Sequence, residues 1–177
     1  MSSATTQDKT DARHEASDLE RLFDQCFRVD YATILVGGAS EPLYLPSTAA
    51  PREPHQVVYR EDYFASALHE IAHWCIAGSK RRALEDYGYW YAPDGRSPLQ
   101  QEEFERVEAR PQALEWIFSD ACGWSFQLSA DNLEGGATPS ESFARAVEAQ
   151  RASYESDGLP MRAASFRAAL QAQSAGA

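Results

Sequence analysis

Positive charge is scarce in this sequence. Lysine and arginine together number 16, against 27 aspartates and glutamates, so the formal net charge is −11 at pH 7. We do not expect direct binding to nucleic acid, because a basic patch would have to form within a background that repels phosphate. A cationic partner suits such a surface better.

Long hydrophobic runs are missing as well. The apolar segments are far shorter than the about 20 residues of a membrane-spanning helix, and the polar N-terminus has no apolar core typical of a signal peptide. Cysteines are few, odd in number and without paired spacing (Cys26, Cys75 and Cys122). We therefore predict a cytoplasmic protein without membrane attachment, in which the cysteines are reduced.

The remaining composition is that of a folded protein, with 44% hydrophobic and 11% aromatic residues. We expect one α+β domain, mainly helical with a small sheet, over residues 18–173. A flexible, polar N-terminal tail is predicted for residues 1–17 and a short tail for residues 174–177. The apolar spacing predicts a helix over 18–28 and later helices over 101–123, around 143–154 and from Pro160 onward.

Short β-rich segments predict the sheet. A strand is expected over residues 33–36, where Gly37 and Gly38 would end it, and further strands over 43–45 and 56–60. Between two predicted helices, residues 79–100 read as loop-like and carry a cluster of aromatic residues at 87–91. These rings either wall a pocket for a long alkyl-ammonium side chain or form a core corner beside a turn.

The most specific pattern is His69-Glu70-Ile71-Ala72-His73, where two of the four histidines of the chain lie four residues apart. On a helix this spacing puts both imidazoles on one face, from which they can reach a single divalent metal. An apolar stripe of Phe64, Leu68, Ile71 and Cys75 should face the core, with the histidines at its edge, and Gly78 is expected to end the helix. Cys75 points away from the histidines and is a poor third ligand.

Because no histidine follows His73, a third ligand from downstream must be a carboxylate. Glu105, Glu108 and Glu115 follow one another at offsets of three and seven in a predicted helix, so they are expected to share a face. Pro111, inside that helix, is expected to bend it. A site of two histidines and one carboxylate suits zinc for hydrolysis or ferrous iron for oxygen chemistry, and spacing does not choose between them.

Several longer motifs follow one another over about residues 18–173, at positions 41–46, 67–78, 87–96, 104–108, 111–114 and 131–135. In this collinear order they resemble the elongation factor P hydroxylases of bacteria.

The resemblance implies a zincin-like metal-binding helix, and an enzyme that hydroxylates the β-lysylated lysine of translation elongation factor P. It implies a non-haem iron site with His69, His73 and Glu108 as ligands, Glu115 as the reserve, and dioxygen as cosubstrate. Glu70 would position a histidine or a bound water. The oxygenase spacing of a histidine and an aspartate two residues apart is absent, and the sequence leaves open whether 2-oxoglutarate or another reductant is required. A monomer is expected.

Two other hypotheses use the same pentad. A zinc-dependent metallopeptidase would employ Glu70 as its general base. A binding domain that docks on a translation factor would instead close the metal site with a fourth protein ligand.

Overall fold

A computed structural model describes residues 14–48, 53–89, 96–130 and 138–176. These residues form five α-helices and a three-stranded sheet, so the fold is mainly helical with a small sheet, as predicted. The helices are α1 (Ala16–Tyr31), α2 (Phe64–Ile76), α3 (Pro98–Cys122), α4 (Glu141–Asp157) and α5 (Met161–Ala175). No helix in these parts of the chain is both long and apolar enough to cross a membrane.

The terminal helices extend beyond the predicted domain limits. Helix α1 begins at Ala16, two residues before the predicted helix start at residue 18, and Ala16 is buried. Helix α5 continues to Ala175, two residues past the predicted limit. Residues 1–13 and Ala177, on which the rest of the predicted tails falls, lie outside the described residues.

The sheet contains β1 (Thr33–Ala39), β2 (Leu43–Leu45) and β3 (His55–Arg60) in the order β1-β3-β2. Strand β3 pairs in parallel with β1 and antiparallel with β2.

The prediction that Gly37 and Gly38 end β1 is wrong. The strand passes through both residues with a register shift between Val36 and Ala39, and the backbone at Gly38 has φ +94°. A Cβ on Gly37 would lie 2.5 Å from the ring of Tyr59, so the close approach of β3 requires a glycine there. The two glycines therefore form a bulge rather than a turn.

Helix α2 follows β3 and carries the histidine pentad. The predicted apolar stripe is buried throughout, from Phe64 at 7% exposure to Leu68 and Ile71 at 0%. The helix ends at Ile76, before the predicted stop at Gly78. Arg162 of α5 donates to the carbonyl oxygens of residues 74 and 75, in the last turn of the helix, and of residue 77, just after it. A guanidinium at a helix C-terminus satisfies carbonyls that have no partner within the helix.

Helix α3 packs against α2, α4 and α5 and runs through the centre of the fold. It begins at Pro98, earlier than predicted, because Ser97 forms a capping box with Gln100. It also continues through Pro111, which is buried within it. The three cysteines are free, and Cys75 is buried, in agreement with the sequence analysis.

Candidate metal centre

His69 and His73 lie at the edge of the buried stripe of α2 and face α3. Their side chains are 25% and 15% exposed to solvent, whereas that of Glu108 of α3 is 4% exposed. The two Nε2 atoms lie 3.1 Å apart. Glu108 Oε1 lies 3.2 Å from Nε2 of His73, and Glu108 Oε2 lies 3.3 Å from Nε2 of His69. The packing of α2 against α3 thus brings two imidazoles and a carboxylate together at a partly accessible point.

These separations fit a shared metal ion. Three ligand atoms at right angles about a metal, each at about 2.1 Å, lie about 3 Å from one another. Glu108 Oε2 is buried and has no hydrogen-bond partner among the described residues, although a histidine nitrogen is close. A cation bound between this carboxylate and the two imidazole nitrogens would give the unpaired oxygen a partner. Among the described residues, His69, His73 and Glu108 are the group of side chains able to hold an ion.

The other two glutamates of α3 have different partners. Glu115 Oε2 accepts a hydrogen bond of 2.8 Å from Nδ1–H of His69, so it holds the ring in the tautomer whose Nε2 lone pair is available. Glu105 accepts instead from the hydroxyl of Ser140, at the N-terminus of α4. The expectation that all three glutamates share one face is therefore wrong for Glu105. Three residues turn a helix by about 300°, which leaves Glu105 about 60° away from Glu108.

The carboxylates alter the protonation of the site. Burial alone would lower the pKa of His69, but close contact with the carboxylates of Glu108 and Glu115, together with their negative charge, raises it well above its usual value. Burial alone would raise the pKa of Glu108, yet the charge of His73 and the close contacts with both histidines bring it far below its usual value. Without a metal, positive charge on His69 therefore compensates part of the negative charge of the buried carboxylate.

Glu70 lies outside this group of ligand atoms, next to Tyr87. Burial is the main cause of its raised pKa, and the nearby histidines oppose the shift. Burial also raises the pKa of Tyr87 well above its usual value, and the charge of Glu70 adds to the effect. A carboxyl whose pKa is raised retains a proton more readily than an ordinary glutamate does, so Glu70 is suited to hold one beside the histidines.

A strained turn places Tyr87 beside the site. Asp86 and Tyr87 have φ values of 45° and 58°, in the left-handed region that non-glycine residues rarely occupy. The backbone N–H of Tyr44 donates to Asp86, and the ring of Tyr44 stacks on that of Tyr87 with centroids 4.4 Å apart. The ring of Tyr87 lies parallel to that of His73 at 6.5 Å. Nothing in the sequence indicated this turn, because aspartate and tyrosine carry no glycine-like signal.

A cavity of about 200 Å³ opens next to His73. Tyr87 and Tyr89 line it, so the prediction that this aromatic cluster walls a pocket is confirmed for these two rings. The predicted preference for an alkyl-ammonium group finds no support there, because the guanidinium of Arg81 already covers the Tyr89 ring at 4.0 Å. Trp90 and Tyr91, as well as the motif at 131–135, lie outside the described residues. Sequence reasoning singled out neither Arg81 nor Arg110, which both line the cavity.

Comparison with known proteins connects this geometry to a family. Residues 22–175 match the family described as elongation factor P hydroxylase. A protein of Haemophilus influenzae named elongation factor P lysine hydroxylase is 49% identical over 160 residues, which cover 90% of this chain and 89% of that protein.

Proposed function

The chain belongs to the elongation factor P hydroxylase family, and we propose that it hydroxylates the β-lysylated lysine of translation elongation factor P. The near-complete coverage of both chains supports the transfer of this activity, because no large part of the relative lacks a counterpart here. We further propose that the enzyme is an iron-dependent monooxygenase that uses dioxygen.

The observation that carries the metal proposal is the convergence of His69, His73 and Glu108 within 4.8 Å of one another. Two imidazoles and one carboxylate, with other positions open, form the ligand set of non-haem iron oxygenases. Ferrous iron bound there would supply the dioxygen activation that an unreactive lysyl methylene requires. We propose that α2 is zincin-like only in the spacing of its two histidines. The carboxylate ligand comes from another helix, α3.

The side chains of the protein have three roles in this proposal. Glu115 orients His69 through its Nδ1–H, so that Nε2 faces the centre. The burial of Glu108 limits water on one side, while the exposed fractions of the two histidines leave the other side open to substrate. Glu70 holds a proton or positions a water molecule next to the histidines and Tyr87, which its raised pKa suits.

The test uses full-length protein loaded with ferrous iron under oxygen, together with elongation factor P that carries the β-lysylated lysine. We expect the mass of the modified lysine to increase by one oxygen atom. Glu108→Gln should abolish this gain, because the amide is a far weaker ligand than the carboxylate. Glu105→Gln, the same change one turn away on α3, is the matched control and should retain it.

Two results would contradict the proposal. An unchanged mass with wild-type protein would remove the hydroxylase function. Cleavage of the elongation factor chain would favour the peptidase hypothesis, in which Glu70 acts as the general base.

A further inference from the structure

The lining of the cavity beside His73 is unusual for this chain. Acidic residues outnumber basic ones 27 to 16 in the sequence, yet none of the described residues that line the cavity is acidic. Two arginines line it instead, Arg81 from the segment after α2 and Arg110 from α3. A local excess of positive charge therefore faces a concave surface in an acidic protein.

Arg81 is held in a defined position. Its guanidinium donates to the backbone carbonyl of Tyr87 at 3.0 Å and covers the ring of Tyr89. It forms no ion pair with any carboxylate of the described residues. A guanidinium fixed in this way has little conformational freedom left to lose when it binds a ligand, and it keeps N–H donors for one.

Arg110 contributes a second cation, from helix α3. Its side chain is exposed, and it forms neither a hydrogen bond nor an ion pair within the described parts of the chain. By contrast, arginines elsewhere on the surface, such as Arg145, pair with a carboxylate of their own helix. Arg110 is thus available to a ligand that carries negative charge.

We propose that this cavity binds the carboxylate of an acid with a short carbon skeleton, through Arg81 and Arg110. The planar guanidinium fork matches a carboxylate, and two guanidinium groups from different elements can approach it from different directions. Ile76, Val107 and Pro111 form apolar walls that suit carbon atoms and offer nothing to a bare inorganic anion. The volume of about 200 Å³ restricts the ligand to a small acid or to a single acidic side chain.

Binding of a carboxylate in this cavity does not depend on the proposed hydroxylase function, because it requires no metal. The ligand would nevertheless lie beside His73, which lines the same cavity. Its carboxylate belongs either to a free small acid or to an acidic side chain of a protein, and the test separates these sources.

The test measures binding to the full-length, metal-free protein by nuclear magnetic resonance at constant ionic strength. The probes are succinate, inorganic phosphate and a blocked peptide that contains one glutamate. We expect one of the two carboxylate probes to bind more tightly than phosphate and to shift the resonances of residues lining the cavity. The carboxylate probe that binds more tightly identifies the source.

Arg110→Gln should weaken binding of that probe by about tenfold or more, as expected for the loss of a charge-assisted contact. Arg145→Gln removes the same charge from a distant exposed position and should leave the affinity unchanged. Because Arg110 is exposed and has no partner in the described structure, its replacement should not disturb folding. Arg81→Gln provides a second, independent reduction in affinity.

The inference is overturned if neither carboxylate binds in the millimolar range, or if phosphate binds as tightly as the better carboxylate. It is also overturned if both cavity variants bind as the wild type does. None of these readouts depends on hydroxylation, so this site and the proposed function succeed or fail separately.

Discussion

Helix α2 separates two regions of opposite chemistry. On one side, Trp74 is fully buried among aromatic rings, with Phe23 and Phe27 at centroid distances of 5.1 and 4.7 Å. On the other side, His69 and His73 meet Glu108, all within hydrogen-bonding or ion-pair distance of one another. One helix of 13 residues thus contributes to the aromatic core and to a polar centre.

The two regions differ in what they contribute. Buried aromatic rings stabilise the fold through their apolar area and edge-to-face contacts. Buried ionisable groups lose hydration, and their mutual attraction compensates this loss only in part. The aromatic side therefore holds α2 in place, so that the polar side can bring together two imidazoles and a carboxylate whose arrangement would not by itself stabilise the protein.

The largest expected effect is on the aromatic side. Phe166 of α5 is fully buried and contacts Phe23, Phe27 and Phe118. Phe166→Ala should lower the free energy of unfolding by about 3–5 kcal/mol, because it leaves a cavity in the core. Urea denaturation measures this loss, and Leu99→Ala, at a position 79% exposed, is the control with little expected change. An equally small loss for Phe166→Ala would show that the aromatic side contributes no more to stability than an exposed position does.

The next effect is on the polar side and concerns metal binding. Glu108→Gln should weaken the binding of ferrous iron by more than about 100-fold, or about 2.7 kcal/mol, because an anionic ligand is lost. Calorimetric titration under anaerobic conditions measures this affinity, with Glu105→Gln as the matched control. Equal affinities of the two variants would remove Glu108 from the ligand set.

A smaller effect is expected for Glu115, which contacts Nδ1 of His69 rather than the Nε2 atoms that would bind the metal. Glu115→Gln should weaken metal binding by about 10–100-fold, because the neutral amide orients the imidazole less strongly. The same titration measures it. An affinity loss as large as that of Glu108→Gln would instead indicate that Glu115 is itself a ligand. Glu115 was the second choice for this role after Glu108.

The smallest expected effect is a pH dependence that only the polar side shows. In the metal-free protein the pKa of His69 is raised, so its stabilisation is complete below about pH 6.5 and is lost as the pH rises. The pKa of Glu108 is lowered, so its stabilisation is present above about pH 4.5 and is lost as the pH falls. The contribution of the site should therefore be greatest between these values and decline toward alkaline pH.

Urea denaturation across this range measures the decline. The double variant Glu108→Gln/Glu115→Gln should show a flatter profile, whereas Phe166→Ala should keep the wild-type slope at lower stability. A double variant with the wild-type slope would assign the pH dependence to other groups.

Much of helix α2 could be predicted from local sequence. The spacing of Phe64, Leu68 and Ile71 identified the buried stripe, and four-residue spacing put both histidines at its edge, because the geometry of an α-helix repeats every 3.6 residues. The turn at Asp86 and Tyr87 could not be predicted in this way. Its residues have positive φ values and contact Tyr44, which lies 42 residues from Asp86 in the chain.

Motifs and short-range periodicity predicted the family, the histidine pair and, because no histidine follows His73, a carboxylate partner for that pair. The packing of α3 against α2 was needed to show that Glu108 meets both histidines, that Glu115 meets the other nitrogen of His69 and that Glu105 turns away. It also brought Arg81 and Arg110 to one cavity. The physical reason is that periodicity orients side chains about one helix axis, whereas the rotation and register of α3 against α2 depend on packing between distant residues.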